Sequence, residues 1–153
     1  MFDFDLAVLG GGPGGYVAAI RAAQLGNKVC IIEKEKLGGV CLNWGCIPTK
    51  ALLKNAEVFQ TVKKARMFGI EVKNVSVNFK KNVDRSKIVA KQLSKGIEFL
   101  MKKNRITHLT GFGKLETENN ISVFKEGKHK HITAKNIIVA TGAKPRTSRK
   151  YGD

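Results

Sequence analysis

The sequence has few cysteines, no repeats and no long apolar run, and each absence excludes a class of protein. Three cysteines in 153 residues are too few, and odd in number, for a secreted disulfide scaffold, so we expect an intracellular protein. No apolar stretch is long enough to span a membrane, and the first predicted strand follows Met1 too closely to leave room for a targeting peptide. We therefore predict a cytoplasmic protein, or one with a mitochondrial-type role in a eukaryote.

Acidic residues are also scarce. The chain has 12 of them against 28 lysines and arginines, for a formal net charge of +16. Such a balance is typical of proteins that bind nucleic acid or acidic membranes. The lysines, however, are spread from Lys28 to Lys150 and do not alternate with aromatic residues, as a surface that stacks bases would need. We keep a basic nucleic-acid-binding domain as an alternative and favour a lysine-rich composition, or acidic partner domains, as the cause.

A glycine-rich turn follows a short apolar run near the start of the chain. Residues 5–9 have the pattern of a strand buried on both faces and lead into GGGPGG at residues 10–15. The first, third and sixth positions match G-x-G-x-x-G, which combines a tight turn, close approach of a pyrophosphate and close helix packing. A helix over residues 14–25, ending at Gly26, would direct its amino end at the phosphates.

A second strand, KVCIIE, ends at Glu33, where an acidic group can accept hydrogen bonds from an adenosine ribose. The order strand, glycine turn, helix, strand and acid predicts a dinucleotide site. The alternatives are a merely structural glycine turn and a solvated carboxylate at Glu33. Cys30, inside the apolar strand, is most simply a buried core thiol.

The segment Gly38–Lys50, GGVCLNWGCIPTK, places Cys41 and Cys46 between glycines and a proline-started helix. On a regular helix, Cα atoms five positions apart are roughly 8–9 Å apart, whereas a disulfide tolerates about 7 Å. A bonded pair would therefore need tighter coiling over residues 42–45, where Asn43 and Gly45 permit such a backbone. Spacing alone leaves the pairing open, since two free buried cysteines are the alternative.

The same segment resembles the active-site segment of the flavin disulfide oxidoreductases, most closely the dihydrolipoamide dehydrogenase type. Glutathione and mercuric reductases typically have threonine before the first cysteine, where this chain has Val40. The resemblance implies an α/β fold, a Rossmann-like FAD/NAD(P)-binding domain with a parallel sheet and a small antiparallel β-meander. It also implies a redox-active disulfide between Cys41 and Cys46, the catalytic pair, with the first as interchange thiol and the second against the flavin.

The resemblance also assigns cofactor-binding residues. Lys50, one turn after Cys46, matches a family lysine that lies against the flavin, whereas Lys54 is as well explained as a solvated residue. Gly113 matches a loop near the adenine, with a bulge glycine as the alternative. Besides the cysteines and Lys50, the residues expected to bind FAD are Gly10, Gly12, Pro13, Gly14, Gly15, Glu33, Lys34, Gly39, Val40, Gly113, Ala140, Thr141 and Gly142. The three histidines have no ligand spacing, so we expect no metal site.

The remaining elements follow from periodicity. Residues 47–66 and 84–103 have helical patterns, and in the second helix we expect the apolar positions Ile88, Val89, Leu93, Ile97, Leu100 and Met101 to form core. From Ile106 onward, short extended runs with a turn around Gly127 predict an antiparallel meander. Residues 136–140, NIIVA, predict a separate buried strand that leads into ATGAKPR, a segment resembling the family's exit from the FAD domain.

The resemblance covers residues 4–146 and only the amino-terminal part of the family's architecture. We expect an FAD-binding domain over residues 1–146 and an irregular tail over 147–153, with the NAD and dimer-interface domains absent from a truncated chain. A second G-x-G-x-x-G for NAD, a later Gly-Asp segment and the interface domain with its His-Glu base are not found in the sequence.

The implied function is oxidation of dihydrolipoamide through the disulfide and FAD, with NAD as acceptor in the full-length enzyme. The implied partner is the lipoyl-bearing acyltransferase of 2-oxo acid dehydrogenase or glycine cleavage complexes, and the full-length family forms homodimers. Loss of a catalytic base typically costs two to four orders of magnitude in rate, so we expect negligible turnover from this chain alone. A stand-alone FAD-binding or redox module is the second alternative.

Overall fold

A computed structural model describes residues 1–144 and has the α/β fold expected from the sequence. The expected exit-segment residues Pro145 and Arg146 and the tail 147–153 lie outside the described residues. The helices are α1 (Pro13–Gln24), α2 (Gly39–Asn43), α3 (Cys46–Lys63) and α4 (Phe79–Lys103), with a 3₁₀ turn at Ala65–Phe68. The strands are β1 (Phe4–Leu9), β2 (Val29–Glu33), β3 (Thr107–Thr110), β4 (Phe112–Leu115), β5 (Asn120–Lys125) and β6 (Lys128–Val139).

The six strands form one mixed sheet in the order β3-β2-β1-β6-β5-β4. The first four are mutually parallel, and β4, β5 and the first half of β6 are antiparallel. One apolar core lies between the parallel strands and helices α1 and α4, and a second lies between those strands and β5–β6. Strands β1 and β2 are therefore covered on both faces. The glycine turn lies at the carboxyl end of β1, at the edge of this packed unit.

Helix α1 ends as the sequence predicts, at Gly26. The Asn27 N–H donates to Ala22 O at 3.2 Å and the Gly26 N–H to Ala23 O at 3.0 Å, while Gly26 has a φ of +86°. This pair of bonds is a Schellman motif, which favours glycine because the residue after the cap is left-handed. The motif returns the chain into β2.

Two strand assignments from the sequence are wrong. Residues after Ile106 do not begin the meander: Thr107–Thr110 is a parallel strand beside β2, because helix α4 provides the long crossover that a parallel pairing requires. Residues 136–140 are not a separate strand either. Residues Lys128–Val139 form the single strand β6, whose first half pairs with β5 and whose second half pairs with β1.

The sequence pattern also predicts more buried apolar residues than the structure has. On α4, Ile97 and Met101 are buried, but Ile88 is 55% exposed and Leu93 45%. At the end of β6, Val139 is 64% exposed. Periodicity gives the apolar positions of an element, whereas burial depends on what packs over each face.

Helix α4 also begins five residues earlier than expected, at Phe79. The Asn78 side chain accepts a hydrogen bond from the Lys81 N–H at 2.9 Å, and such an N-cap satisfies an orphan donor of the first turn. Across residues 1–144, the helices are all too short or too polar to cross a bilayer.

Candidate active site

The glycine turn owes its shape to close backbone contacts. Gly10 has a φ of +103°, and a Cβ there would overlap the carbonyl of Ala140. A Cβ on Gly15 would overlap the carbonyl of Gly10. Both positions therefore require glycine, as the predicted fingerprint demands. Gly14, by contrast, faces open space.

The amino end of α1 emerges from this turn with free donors. Its N-cap residue is Gly12, and no side chain among residues 1–144 caps it. The first turn of a helix has four backbone N–H groups without helical partners, and the helix dipole favours negative charge there. The end of α1 can therefore receive an anionic group such as a pyrophosphate.

Glu33 closes the site on the side of β2. Its carboxylate accepts the Gly11 N–H at 2.8 Å and the Glu35 N–H at 2.8 Å. It lines a cleft of about 140 Å³ together with Gly10, Lys34, Phe112, Gly113 and Thr141. Five of the predicted cofactor-binding residues thus meet at the carboxyl end of the parallel strands, where ligands of open α/β sheets bind.

Gly113 has a structural role as well as a place in this cleft. A Cβ on Gly113 would overlap the Leu9 side chain and lie 3.0 Å from Cγ2 of Ile32. Glycine therefore allows β4 to pack directly on β1 and β2. The sequence suggested a cofactor loop or a bulge glycine here, whereas the structure shows a packing role; the role of Gly113 in binding FAD stays a prediction.

Helix α2 brings the cysteine segment against the glycine turn. The Gly38 N–H donates to Gly11 O at 2.8 Å. A Cβ on Gly39 would lie 2.9 Å from Gly12 Cα and 3.0 Å from Pro13 Cδ. The predicted residues Gly12, Pro13 and Gly39 are therefore neighbours, and the disulfide segment begins where the phosphate-binding turn ends.

Cys41 and Cys46 are joined by a disulfide, with Cα atoms 4.7 Å apart. The short distance comes from a break between two helices: α2 ends at Asn43, Trp44 is its cap, and α3 begins at Cys46. A Cβ on Gly45 would lie 3.2 Å from Cys41 Cα. Glycine at this position therefore lets the two helix ends approach.

Asn43 does not have the role expected of it. It stays helical, and its side-chain amide donates to Leu37 O at 3.1 Å and to Gly39 O at 3.0 Å. The buried Ser94 hydroxyl of α4 also donates to Leu37 O, at 3.0 Å. These bonds connect the loop before α2 to α4. The segment that carries the disulfide is therefore fixed by hydrogen bonds.

The disulfide and its neighbours are accessible to solvent. Cys41, Cys46, Val40 and Lys50 are all exposed in the described chain. Lys50 lies four residues after Cys46 on α3, hence on the same helix face. Thr141 and Gly142 are exposed too, and Ala140 is half-buried, with its N–H donating to Leu9 O at 2.7 Å.

Cys30 takes no part in the disulfide. It is fully buried in β2, and burial raises the pKa of its thiol to about 12, with Asp3 adding to the effect. A thiol that does not ionise is a poor nucleophile. The expectation of a core thiol agrees with this placement.

The arrangement fits FAD in its donor set and shape. A glycine turn leaves the N–H groups at the amino end of α1 free, the Glu33 carboxylate lies beside it, and an exposed disulfide follows in the adjoining segment. The role of each residue in binding FAD stays a prediction. Sequence reasoning missed Gly11, Leu37, Ser94 and Phe112; only Gly11, within the glycine run, carried a local signal.

Metal binding has no comparable support. Within residues 1–144, the His, Cys, Asp and Glu side chains do not form a group of three or more that could hold a metal ion.

Known proteins resemble the chain over nearly its whole length. A family model described as pyridine nucleotide-disulphide oxidoreductase matches residues 4–153. The dihydrolipoyl dehydrogenase of Chlorobaculum tepidum is 52% identical over 145 residues, which are 94% of this chain and 31% of the relative. Those of Bacillus subtilis and Mycobacterium tuberculosis are 46% and 48% identical, over 94% and 95% of this chain and 32% of each relative. The chain thus spans about a third of the length of these curated relatives.

Proposed function

The chain belongs to the pyridine nucleotide-disulphide oxidoreductase family, and on that premise we propose that it binds FAD and oxidises dihydrolipoyl groups through Cys41 and Cys46. The observation that supports this most is the contact between Gly12 and Gly39. It joins a phosphate-binding turn directly to an exposed disulfide. A disulfide with only a structural role would not need a phosphate-binding turn beside it.

In this reaction, Cys41 and Cys46 would have different roles. A substrate thiolate attacks Cys41 Sγ, the disulfide bond breaks, and Cys46 leaves as a thiolate. The second substrate thiol, after losing its proton, displaces Cys41, so the substrate is oxidised to its disulfide and both cysteines are reduced. Cys46 is the better leaving group because it is the first residue of the 18-residue helix α3, whose dipole stabilises a thiolate.

Bound FAD supplies the two-electron acceptor that lets the cysteine pair return to the disulfide. Gly12 and the amino end of α1 would hold its pyrophosphate, and Glu33 its ribose. Lys50 would place a positive charge on the helix face that carries Cys46, which favours negative charge developing nearby.

For the whole protein we propose NAD as the final acceptor and a cytoplasmic enzyme. We further propose that it forms a homodimer and serves the lipoyl-bearing acyltransferase of a 2-oxo acid dehydrogenase or glycine cleavage complex. The names of the relatives support the dihydrolipoyl substrate, which each of them is said to oxidise.

The test is a reductive titration after loading with FAD. The purified chain is incubated with FAD, the excess is removed, and dithionite is added under anaerobic conditions. We expect flavin nearly equimolar with protein and uptake of two electron pairs, one for the flavin and one for the disulfide. The variants Cys41→Ser and Cys46→Ser should each take up one pair, whereas Cys30→Ala, as the matched control, should take up both.

Two results would contradict the proposal. A folded chain that retains no flavin would refute the cofactor site. Equal electron uptake by Cys41→Ser and the unmodified chain would refute the redox role of the disulfide.

A further inference from the structure

A cleft of about 450 Å³ lies between α3, the start of α4 and the segment that precedes α4. We call it the α3–α4 cleft. Among the described residues that line it are three cationic side chains, those of Lys54, Lys81 and Arg85, and no aspartate or glutamate. A concave site lined by one sign of charge concentrates the electrostatic potential and attracts ions of the opposite sign.

The Arg85 guanidinium is held in this cleft by neutral groups. Its Nη1 donates to Ala51 O at 3.2 Å and to Asn55 Oδ1 at 3.0 Å. The Asn55 amide donates in turn to Asn82 O at 3.4 Å, which connects α3 to α4. Among residues 1–144, neither Nε nor Nη2 of Arg85 has an acceptor. The guanidinium is therefore fixed in place while most of its donors stay free.

Two of the three cations have no counter-charge. Lys54 Nζ lies 3.0 Å from Glu57 Oε1, so the charge of Lys54 is balanced. In the described part of the chain, neither Lys81 nor Arg85 has a carboxylate at ion-pair distance. The amino end of α4 borders the cleft at Asn78, and the helix dipole adds positive potential there. The charge of the cleft thus calls for an anion.

The rest of the lining is largely apolar. It includes Val58 and Phe59 of α3 and Val75 and Val77 of the segment before α4. The volume of the cleft lies in the range of about 300–1,000 Å³ that is typical of small-molecule sites. An inorganic ion would leave the apolar wall in water, so the cleft suits an anion with an organic body.

We propose that the α3–α4 cleft binds a small organic phosphate monoester, with the phosphate against Lys81 and Arg85 and an apolar body against Val58 and Phe59. A phosphate monoester carries about −1.5 to −2 charges at pH 7, which matches two unbalanced cations, whereas a carboxylate carries one charge. The guanidinium fork also fits two phosphate oxygens. The lining shares no residue with the cleft beside Glu33, so this site does not depend on the proposed disulfide chemistry.

The test is isothermal titration calorimetry with phenyl phosphate as the probe. The full 153-residue chain is first loaded with FAD, which occupies the amino end of α1, and is then titrated at low salt. We expect one binding site. Arg85→Gln and Lys81→Gln should each weaken binding about 10- to 150-fold, the range of one charge-assisted hydrogen bond.

Lys91→Gln is the matched control. Lys91 is exposed on the same helix, ten residues beyond Lys81 and about 15 Å along the axis, outside the cleft. This variant removes the same charge and should leave binding unchanged. In a chain that retains no flavin, Lys81→Gln still locates the site, because it leaves the amino end of α1 intact.

Several results would overturn the proposal. They are a lack of phenyl phosphate binding, or equal weakening by Lys81→Gln and Lys91→Gln, which would indicate only the general positive charge of the surface. Benzoate or inorganic phosphate that binds as tightly as phenyl phosphate would also overturn it. Should Arg85→Gln fail to fold by circular dichroism, Lys81→Gln decides the outcome, because the exposed Lys81 side chain lies outside the bonds that join α3 to α4.

Discussion

The Glu33 carboxylate accepts the backbone N–H of Gly11 at 2.8 Å and so connects the end of β2 to the glycine turn. The residue that we propose as a ribose ligand therefore also shapes the phosphate-binding turn. Its second oxygen accepts the Glu35 N–H at 2.8 Å. Loss of the carboxylate should affect folding and cofactor binding together.

We expect Glu33→Gln to destabilise the chain by about 1–3 kcal/mol, because an amide offers one acceptor where two backbone donors must be satisfied. Urea unfolding without FAD measures this. The same variant should retain less flavin after loading. Glu118→Gln is the control, since Glu118 is an exposed glutamate of the β4–β5 turn. A variant as stable as the unmodified chain would show that the bonds of Glu33 contribute nothing.

Two glycine substitutions should have opposite effects on stability. Gly15→Ala places a Cβ against the Gly10 carbonyl, so α1 must move away from the turn, and overpacking of this kind costs about 1–3 kcal/mol. Gly96→Ala, in the middle of α4 with open space around it, should stabilise by about 0.5–1 kcal/mol. Thermal unfolding compares the two, and a Gly15→Ala variant of unchanged stability would contradict the close packing.

The three cysteines should differ sharply in reactivity. After reduction of the native chain, iodoacetamide at mild alkaline pH should modify Cys41 and Cys46, because both are exposed. Cys30 should react only after denaturation, since it is buried and its pKa is about 12. Mass spectrometry of the alkylated chain counts the modified thiols. Rapid modification of Cys30 in folded protein would contradict its place in the core.

His108 should make the stability of the fold weakly dependent on pH, because this residue of β3 is exposed and solvent screens much of the effect. Desolvation lowers the pKa of His108 below its ordinary value, and Glu98 and Glu33 partly oppose the effect. The unfolded chain therefore binds a proton more readily than the folded chain. Stability should be greatest above the unfolded pKa of about 6.5 and fall as the pH drops below it, levelling off below the lowered folded pKa.

Urea midpoints between pH 7.5 and pH 5 measure this dependence. His108→Gln, which cannot titrate, should give a flatter profile over that interval. His131→Gln, on a second exposed histidine in β6, serves as the control. Parallel profiles for His108→Gln and the unmodified chain would contradict the predicted linkage.

The sequence by itself determined the parts of this protein that are local. These parts are a glycine turn between two apolar strands, an acid at the end of the second strand and the GGVCLNWGCIPTK segment. Each of them depends on only a few residues that are close in the sequence. Their chemistry is therefore visible in the order of residue types. The α/β fold, the candidate FAD turn and the family all follow from them.

Only the tertiary structure decided how distant strands pair. The parallel placement of Thr107–Thr110, the continuity of Lys128–Val139 and the meeting of Phe112, Phe124 and His129 depend on register between separate segments. The burial of Met101 beside the exposure of Ile88 on one helix depends on which face α4 turns to the sheet. Periodicity reports the preference of a residue for burial, but a packed neighbour must supply the burial itself.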